Sequence, residues 1–133
     1  MCKHYYKRYS RIKTDVMCEA VNDAADMSSS HLILCIHEKS QLERVNGITG
    51  TLPAELLISL KKQNVGTYRG IPVYLLTNKI RPDCEAGGVA IAPFIDLKLL
   101  PKIEACNPDS IIYIPWMEDE LSVYVTLPDA EEI

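Results

Sequence analysis

Four short apolar runs constrain the fold of this chain more than any other feature: His31-Leu-Ile-Leu-Cys-Ile36, Ile71-Pro-Val-Tyr-Leu-Leu76, Val89 to Phe94 and Ile111-Ile-Tyr-Ile-Pro115. The first, second and fourth show no alternation of polar and apolar residues, which is the pattern of strands covered on both faces. Between the runs the apolar spacing changes to three and four. Val16, Met17, Ala20, Val21, Ala24 and Ala25 predict an amphipathic helix from Thr14 to Met27, with Thr14 as its N-cap. Leu56, Leu57 and Leu60 predict a second from Pro53 to Gln63, and Leu97, Leu100 and Ile103 a third from Asp96 to Ala105 that Pro101 should bend or shorten.

Residues 38–52 and 77–88 read as loops, and Val65-Gly-Thr-Tyr-Arg-Gly70 as a turn. The segment 116–126 is ambiguous. Met117, Leu121 and Tyr124 fit a helix whose first turn holds Glu118, Asp119 and Glu120, whereas Ser122 to Thr126 fits an edge strand; the acids favour the helix.

The order α-β-α-β-β-α-β, plus this last element, predicts one α/β domain. The expected architecture is a three-layer, Rossmann-like sandwich around a short, mostly parallel sheet of about four to five strands. Residues 31–115 also fit the ferredoxin-like α+β order β-α-β-β-α-β, which requires 77–88 to close an antiparallel hairpin.

With 47% apolar and 24% charged residues over 133 positions, a single hydrophobic core is within reach. No apolar stretch is long enough to span a bilayer, and the opening residues are polar and basic, so a cytoplasmic protein without a membrane partner is expected. Five cysteines at wide spacings, with no C-x-x-C pair, point to neither a disulfide framework nor a structural zinc site. Cys18 and Cys35 read as small buried hydrophobes. Cys84 lies between Asp83 and Glu85, whose charges should raise its pKa.

The net charge of -4 is unevenly spread. Residues 1–13 carry Lys3, Lys7, Arg8, Arg11 and Lys13 and no acid, interleaved with Tyr5, Tyr6 and Tyr9. Such an N-terminal arm either contacts nucleic acid or folds back on acids of its own chain, above all Glu118, Asp119, Glu120, Asp129, Glu131 and Glu132. The acidic remainder of the chain favours the second reading.

In a mostly parallel sheet, ligands bind at the carboxyl ends of the strands. That rule brings His37, Glu38, Thr77, Asn78, Asp96, Trp116 and Glu118 to one rim. Gly47, Gly50 and Thr51 precede a helix start, where free N–H groups can receive a small anion, although neither glycine-rich nucleotide signature is present. His31, Cys35 and His37 alternate on one strand face but lack a fourth partner, so no metal is expected there.

The expected function is binding of a protein partner or small ligand, with self-association as a homodimer, without catalysis and without a cofactor. The ligand set is His37, Gly47, Gly50, Thr51, Asn78, Trp116 and Glu118, and the anchors toward a protein are Trp116, Tyr113 and the N-terminal tyrosines. A second pattern gives the alternative. Pro82-Asp83 followed by Asp96-Leu97-Lys98 resembles the PD-(D/E)xK signature of the restriction-endonuclease-like nucleases. The resemblance rests on these five residues. It implies a magnesium-dependent nuclease or phosphohydrolase in which Asp83 and Asp96 hold the metal and Lys98 orients or activates water. Asp96 also stands where a helix N-cap belongs.

Overall fold

The computed structural model describes residues 2–28, 30–42 and 52–133. The elements follow in the order β1 (Lys3–Tyr6), α1 (Lys13–Met27), β2 (Leu32–Cys35), α2 (Ala54–Gln63), β3 (Val65–Tyr68), β4 (Ile71–Leu76), β5 (Val89–Pro93), α3 (Leu100–Glu104), β6 (Ser110–Ile114), α4 (Leu121–Tyr124) and β7 (Glu131–Glu132). Short 3-10 turns at Lys39–Leu42, Leu97–Leu99 and Glu118–Glu120 lead into or between them.

The seven strands form one sheet in the order β3-β4-β2-β5-β6-β1-β7. All neighbours are parallel except β3 and β4. The class is therefore α/β with a mostly parallel sheet, wider than the four to five strands read from the sequence. The ferredoxin-like alternative fails because β4 and β5 do not form a hairpin; they flank β2 on opposite sides, both parallel to it. The 77–88 loop is a crossover without a helix.

Two apolar clusters cover the two faces. On one, Val16, Met17, Ala20, Val21 and Ala24 of α1 and Leu56 and Leu60 of α2 pack on Leu32, Leu34, Val73, Leu75, Ile91 and Ile112. On the other, Ile103 of α3 and Tyr124 of α4 pack with Ile33, Cys35, Ala90, Ala92, Ile111 and Tyr113. Odd and even residues of the same strands thus serve opposite layers, as a period of two requires. Every residue of β2 and β5 is buried, which explains the uninterrupted apolar runs. Each fully buried Leu or Ile contributes about 1.5–3 kcal/mol of transfer free energy.

Three strands escaped the sequence reading. Residues 3–6 are not a free arm; β1 lies inside the sheet between β6 and β7. Its neighbours neutralise the cations: Lys7, only 4% exposed, pairs with Asp23 and Glu19 of α1, Arg8 pairs with Glu19, and Lys3 with Glu131. Of the six acids expected to receive the basic segment, Glu131 alone forms such a pair among the described residues; α1 supplies the other partners.

Residues 65–70 are not merely a turn. Val65–Tyr68 is the edge strand β3, and only Arg69 and Gly70 turn, both at positive φ (53° and 77°), the two-residue type I′ geometry of a hairpin. At the far edge, β7 is two residues long, and its chain end is tied by Ile133 N–H donating to the Tyr6 carbonyl at 3.0 Å.

Helix ends show smaller corrections. The N-cap of α1 is Ile12 rather than Thr14. α2 ends on Asn64 in the left-handed region (φ 64°), whose side-chain oxygen receives Lys39 Nζ at 2.6 Å. Pro101 confines α3 to five residues after a 3-10 turn. The ambiguous 116–126 segment is helical, as the acids suggested. Cys18 is exposed on the outer side of α1, whereas Cys35 is fully buried; all five cysteines are free thiols. Tyr113 is fully buried and cannot anchor a partner; its hydroxyl pairs with His4 Nδ1 at 2.9 Å. Among the described residues no helix is long and apolar enough to cross a membrane.

Candidate functional site

β2 and β5 are hydrogen-bonded neighbours whose chains leave in opposite directions. From β2 the chain passes through α2 on one face toward β4; from β5 it passes through α3 on the other face toward β6. Where connections diverge in this way, no backbone closes the space above the carboxyl ends of the two strands. A cavity of about 660 Å³ opens there.

Each wall has a local cause. β5 stops at Pro93, and Phe94 takes φ 57° while its N–H donates to the Ile114 carbonyl at 2.8 Å. This kink turns the Phe94 ring and the following Asp96 onto the rim. Asp96 Oδ1 accepts the Lys98 N–H at 3.0 Å and caps the 3-10 turn Leu97–Leu99, the N-cap role its position suggested. The Asp96 N–H donates to His37 Nε2 at 2.8 Å. His37 Nε2 is therefore an unprotonated acceptor, which leaves Nδ1 as the N–H tautomer. Gln41 Oε1 receives the His37 and Glu38 N–H groups at 2.8 and 2.9 Å and holds the β2 exit in place.

The aromatic wall follows β6. Trp116 lies edge-to-face against Phe94, ring centroids 5.0 Å apart at 79°. Glu120 Oε1 receives the Trp116 and Met117 N–H groups at 2.9 and 3.3 Å, which fixes the chain before α4. Lys13 Nζ lies 5.3 Å from the Trp116 ring centroid and 4.2 Å from that of Tyr9. Burial pulls the Lys13 ammonium below its ordinary pKa, against the opposing charge of Glu120.

Tyr124 lines the floor. It is 2% exposed, stacks on Tyr113 at 5.1 Å, and its hydroxyl has no hydrogen-bond partner among the described residues. Burial raises its pKa, and the charges of Glu120 and Asp96 raise it further. The phenol is thus held as a neutral donor beside two carboxylates that accept.

The cavity brings together His37, Asp96 and Trp116 of the residues expected from the sequence. Asn78 lines an adjoining recess of about 500 Å³ that His37 also borders. Glu118 is exposed and does not line the cavity; Glu120, two residues later, does. Gly47, Gly50 and Thr51 lie outside the described residues. Asp83 sits in the crossover loop and does not line the cavity that holds Asp96, and Lys98 is exposed with its N–H on the Asp96 cap. Among the described residues no group of three His, Cys, Asp or Glu side chains is arranged to hold a metal ion. His31 Nδ1 pairs with Ser30 Oγ at 3.0 Å at the opposite end of β2 from His37.

Phe94, Gln41, Glu120 and Tyr124 were not among the site residues expected from sequence. Glu120 had a signal as one of the three acids placed in the first turn of the helix after Trp116. Cys84 is partly buried against the α3-side cluster; burial, then Cys106, raise its thiol pKa more than Asp83 does, and of the two acids read from sequence Asp83 contributes while Glu85 is not among the causes. Comparison with known proteins yields no match to a family model, a curated protein or a solved structure.

Proposed function

We propose that the chain is a non-catalytic ligand-binding domain of Rossmann-like design that takes a planar heterocycle, with a nucleobase as the simplest example, in the crevice above β2, β5 and β6. The carrying observation is the unpartnered Tyr124 hydroxyl on the floor of an aromatic-walled cavity. A buried polar group without a partner costs about 1–3 kcal/mol, and a ligand acceptor would remove that cost. Trp116 and Phe94 offer ring surfaces to stack on. Asp96 and Glu120 each have a carboxylate oxygen not used in the capping bonds above, suited to ring N–H or exocyclic amine donors.

The backbone of Phe94 supports the same reading. Of the five non-glycine residues described at positive φ, three are Asn or Asp, which tolerate it, and Arg69 belongs to the hairpin turn. Phe94 alone is a bulky residue held there without a hairpin's requirement. Such strain, about 1–3 kcal/mol, concentrates at functional positions.

Trp116 is the single tryptophan of the chain, so its fluorescence reports the site directly. Titration with adenosine, guanosine, cytidine and uridine should quench or shift that emission saturably for at least one nucleoside. Tyr124→Phe should weaken that affinity about 5- to 15-fold, the loss of one buried hydrogen bond. Saturable quenching that Tyr124→Phe leaves unchanged, or no response to any nucleoside, would reject the assignment.

A further inference from the structure

A second recess lies between the start of the crossover loop and α3. It encloses about 400 Å³ and shares no lining residue with the aromatic cavity. Its charged walls are Lys79, Arg81 and Lys102, and no carboxylate lines it. Its apolar walls are Leu76, Ile80, Pro101 and Ala105.

The recess is built rather than incidental. Thr77 is buried, and its Oγ1 accepts the N–H groups of Lys79 and Ile80 at 3.1 and 3.0 Å, while its own N–H donates to the Ile80 carbonyl at 3.0 Å. That closed turn presents Lys79 and Arg81 on one short arc. Asn78 N–H donates to the His37 carbonyl at 3.1 Å and anchors the turn to the end of β2. Lys102 Nζ donates to the Asn78 carbonyl, which latches α3 against the turn and fixes the third cation.

The charge pattern is the informative part. In a chain of net charge -4, Lys3, Lys7, Arg8 and Arg69 pair with carboxylates, while Arg11, Lys13, Lys39, Lys62 and Lys98 form no ion pair among the described residues; what sets the recess apart is that three cations line it and no carboxylate does. Lys79, Arg81 and Lys102 form no ion pair among the described residues, although Asp83 and Glu85 are only a few positions away in the same loop. A recess lined in this way offers a positive potential that favours an anion. A planar guanidinium beside two ammonium groups suits the oxygens of a phosphoryl group, and the apolar walls suit a short organic substituent on it.

We propose that this recess binds a small phosphate monoester, with Arg81 and Lys79 holding the phosphoryl oxygens, Lys102 supplying the third charge and Leu76, Ile80 and Pro101 covering the ester group. The site stands independently of the heterocycle reading. The test is calorimetric titration of the full chain with phenyl phosphate at low and at physiological ionic strength, for wild type, Lys79→Gln/Arg81→Gln and Trp116→Ala, with phenol as the uncharged control. All substituted positions are exposed, and circular dichroism verifies the fold. Wild type and Trp116→Ala should bind phenyl phosphate equally, more weakly as salt rises, and the double variant at least tenfold less tightly. Phenol should not bind. Equal affinity in wild type and double variant, no binding at low salt, or equal binding of phenol would overturn the proposal.

Discussion

Gly88 offers a quantitative check on how the two central strands enter the sheet. It has φ +78°, and a Cβ placed there would lie 2.5 Å from the His31 carbonyl oxygen and 2.8 Å from the His31 ring. The obstacle cannot move freely. The His31 carbonyl accepts the Val89 N–H at 3.1 Å and the Ser28 hydroxyl at 3.0 Å, and the ring is 6% exposed and packs edge-on against Tyr74. On the other side, the Gly88 carbonyl accepts the Asp109 N–H at 2.9 Å. Gly88→Ala therefore costs about 1–2 kcal/mol for a left-handed alanine and about 1–3 kcal/mol for overpacking. Gly70 is the internal control, because its φ is +77° and nothing lies within 4 Å of its Cβ position. Gly70→Ala incurs the backbone part only. In urea denaturation followed by circular dichroism, Gly88→Ala should lose roughly 2 kcal/mol more than Gly70→Ala, and its melting temperature should lie about 5–10 °C lower. Equal losses in the two variants would refute the close approach of His31 to Gly88 and with it this packing of β2 beside β5.

Stability should fall steeply in alkali. Burial raises the phenol pKa of both Tyr113 and Tyr124 well above the ordinary value, so both stay protonated when folded yet ionise near pH 10 once unfolded. Their contribution is complete below about pH 10 and is lost as pH rises, at up to about 1.4 kcal/mol per pH unit for each group; denaturation midpoints that stay flat from pH 9.5 to 11.5 would contradict this. Thiol labelling with Ellman's reagent at pH 8 should modify exposed Cys18 rapidly and Cys35 only on unfolding, since Cys35 is fully buried and its thiol pKa is pushed up; prompt labelling of Cys35 would place it wrongly. Burial also raises the Cys2 thiol to about 11, so Cys2 should label far more slowly than Cys18 at the same pH. Tyr124→Phe should stabilise the ligand-free protein by about 1 kcal/mol by removing an unpartnered hydroxyl, measurable as a higher urea midpoint, and a lower midpoint would show that the hydroxyl is already paired.

Much of the fold was legible because burial writes itself into composition. β2, β4, β5 and β6 announced themselves as apolar runs, and α1 and α2 as three-and-four spacings. β1 did not, because Lys3-His-Tyr-Tyr6 contains no aliphatic residue; its burial relies on the His4 to Tyr113 hydrogen bond and on α1 carboxylates that neutralise Lys7, partners remote in sequence. β3 was hidden by Gly66, where a Cβ would meet Leu56 at 2.7 Å; its glycine reflects close approach of α2, not a turn. His37, Asp96 and Trp116 were accessible to the rule that parallel strands gather residues at their carboxyl ends. Tyr124 and Glu120 required knowing that the segment after β6 folds back as a helix over Tyr113, which local pattern alone left open. The segregated basic charge at residues 1–13 favoured folding back on acids of the same chain, and Lys3, Lys7 and Arg8 do pair within the chain, but Lys7 and Arg8 with Glu19 and Asp23 of α1 rather than with the C-terminal acids, and residues 3–6 lie inside the sheet. Deleting residues 1–13 would thus remove an internal strand rather than a separable arm.

The most direct test of ligand binding in the crevice is a nitrogen-15 NMR titration of the full chain with the nucleosides used in the fluorescence assay. Saturable shifts should concentrate at His37, Gln41, Phe94 to Leu97 and Trp116 to Tyr124, including the Trp116 indole N–H, and leave α1 beyond Ala20 and the β3–β4 hairpin unchanged. Shifts confined to other surfaces, or no shift at these residues with any nucleoside at millimolar concentration, would contradict the assignment of this cavity as the binding site.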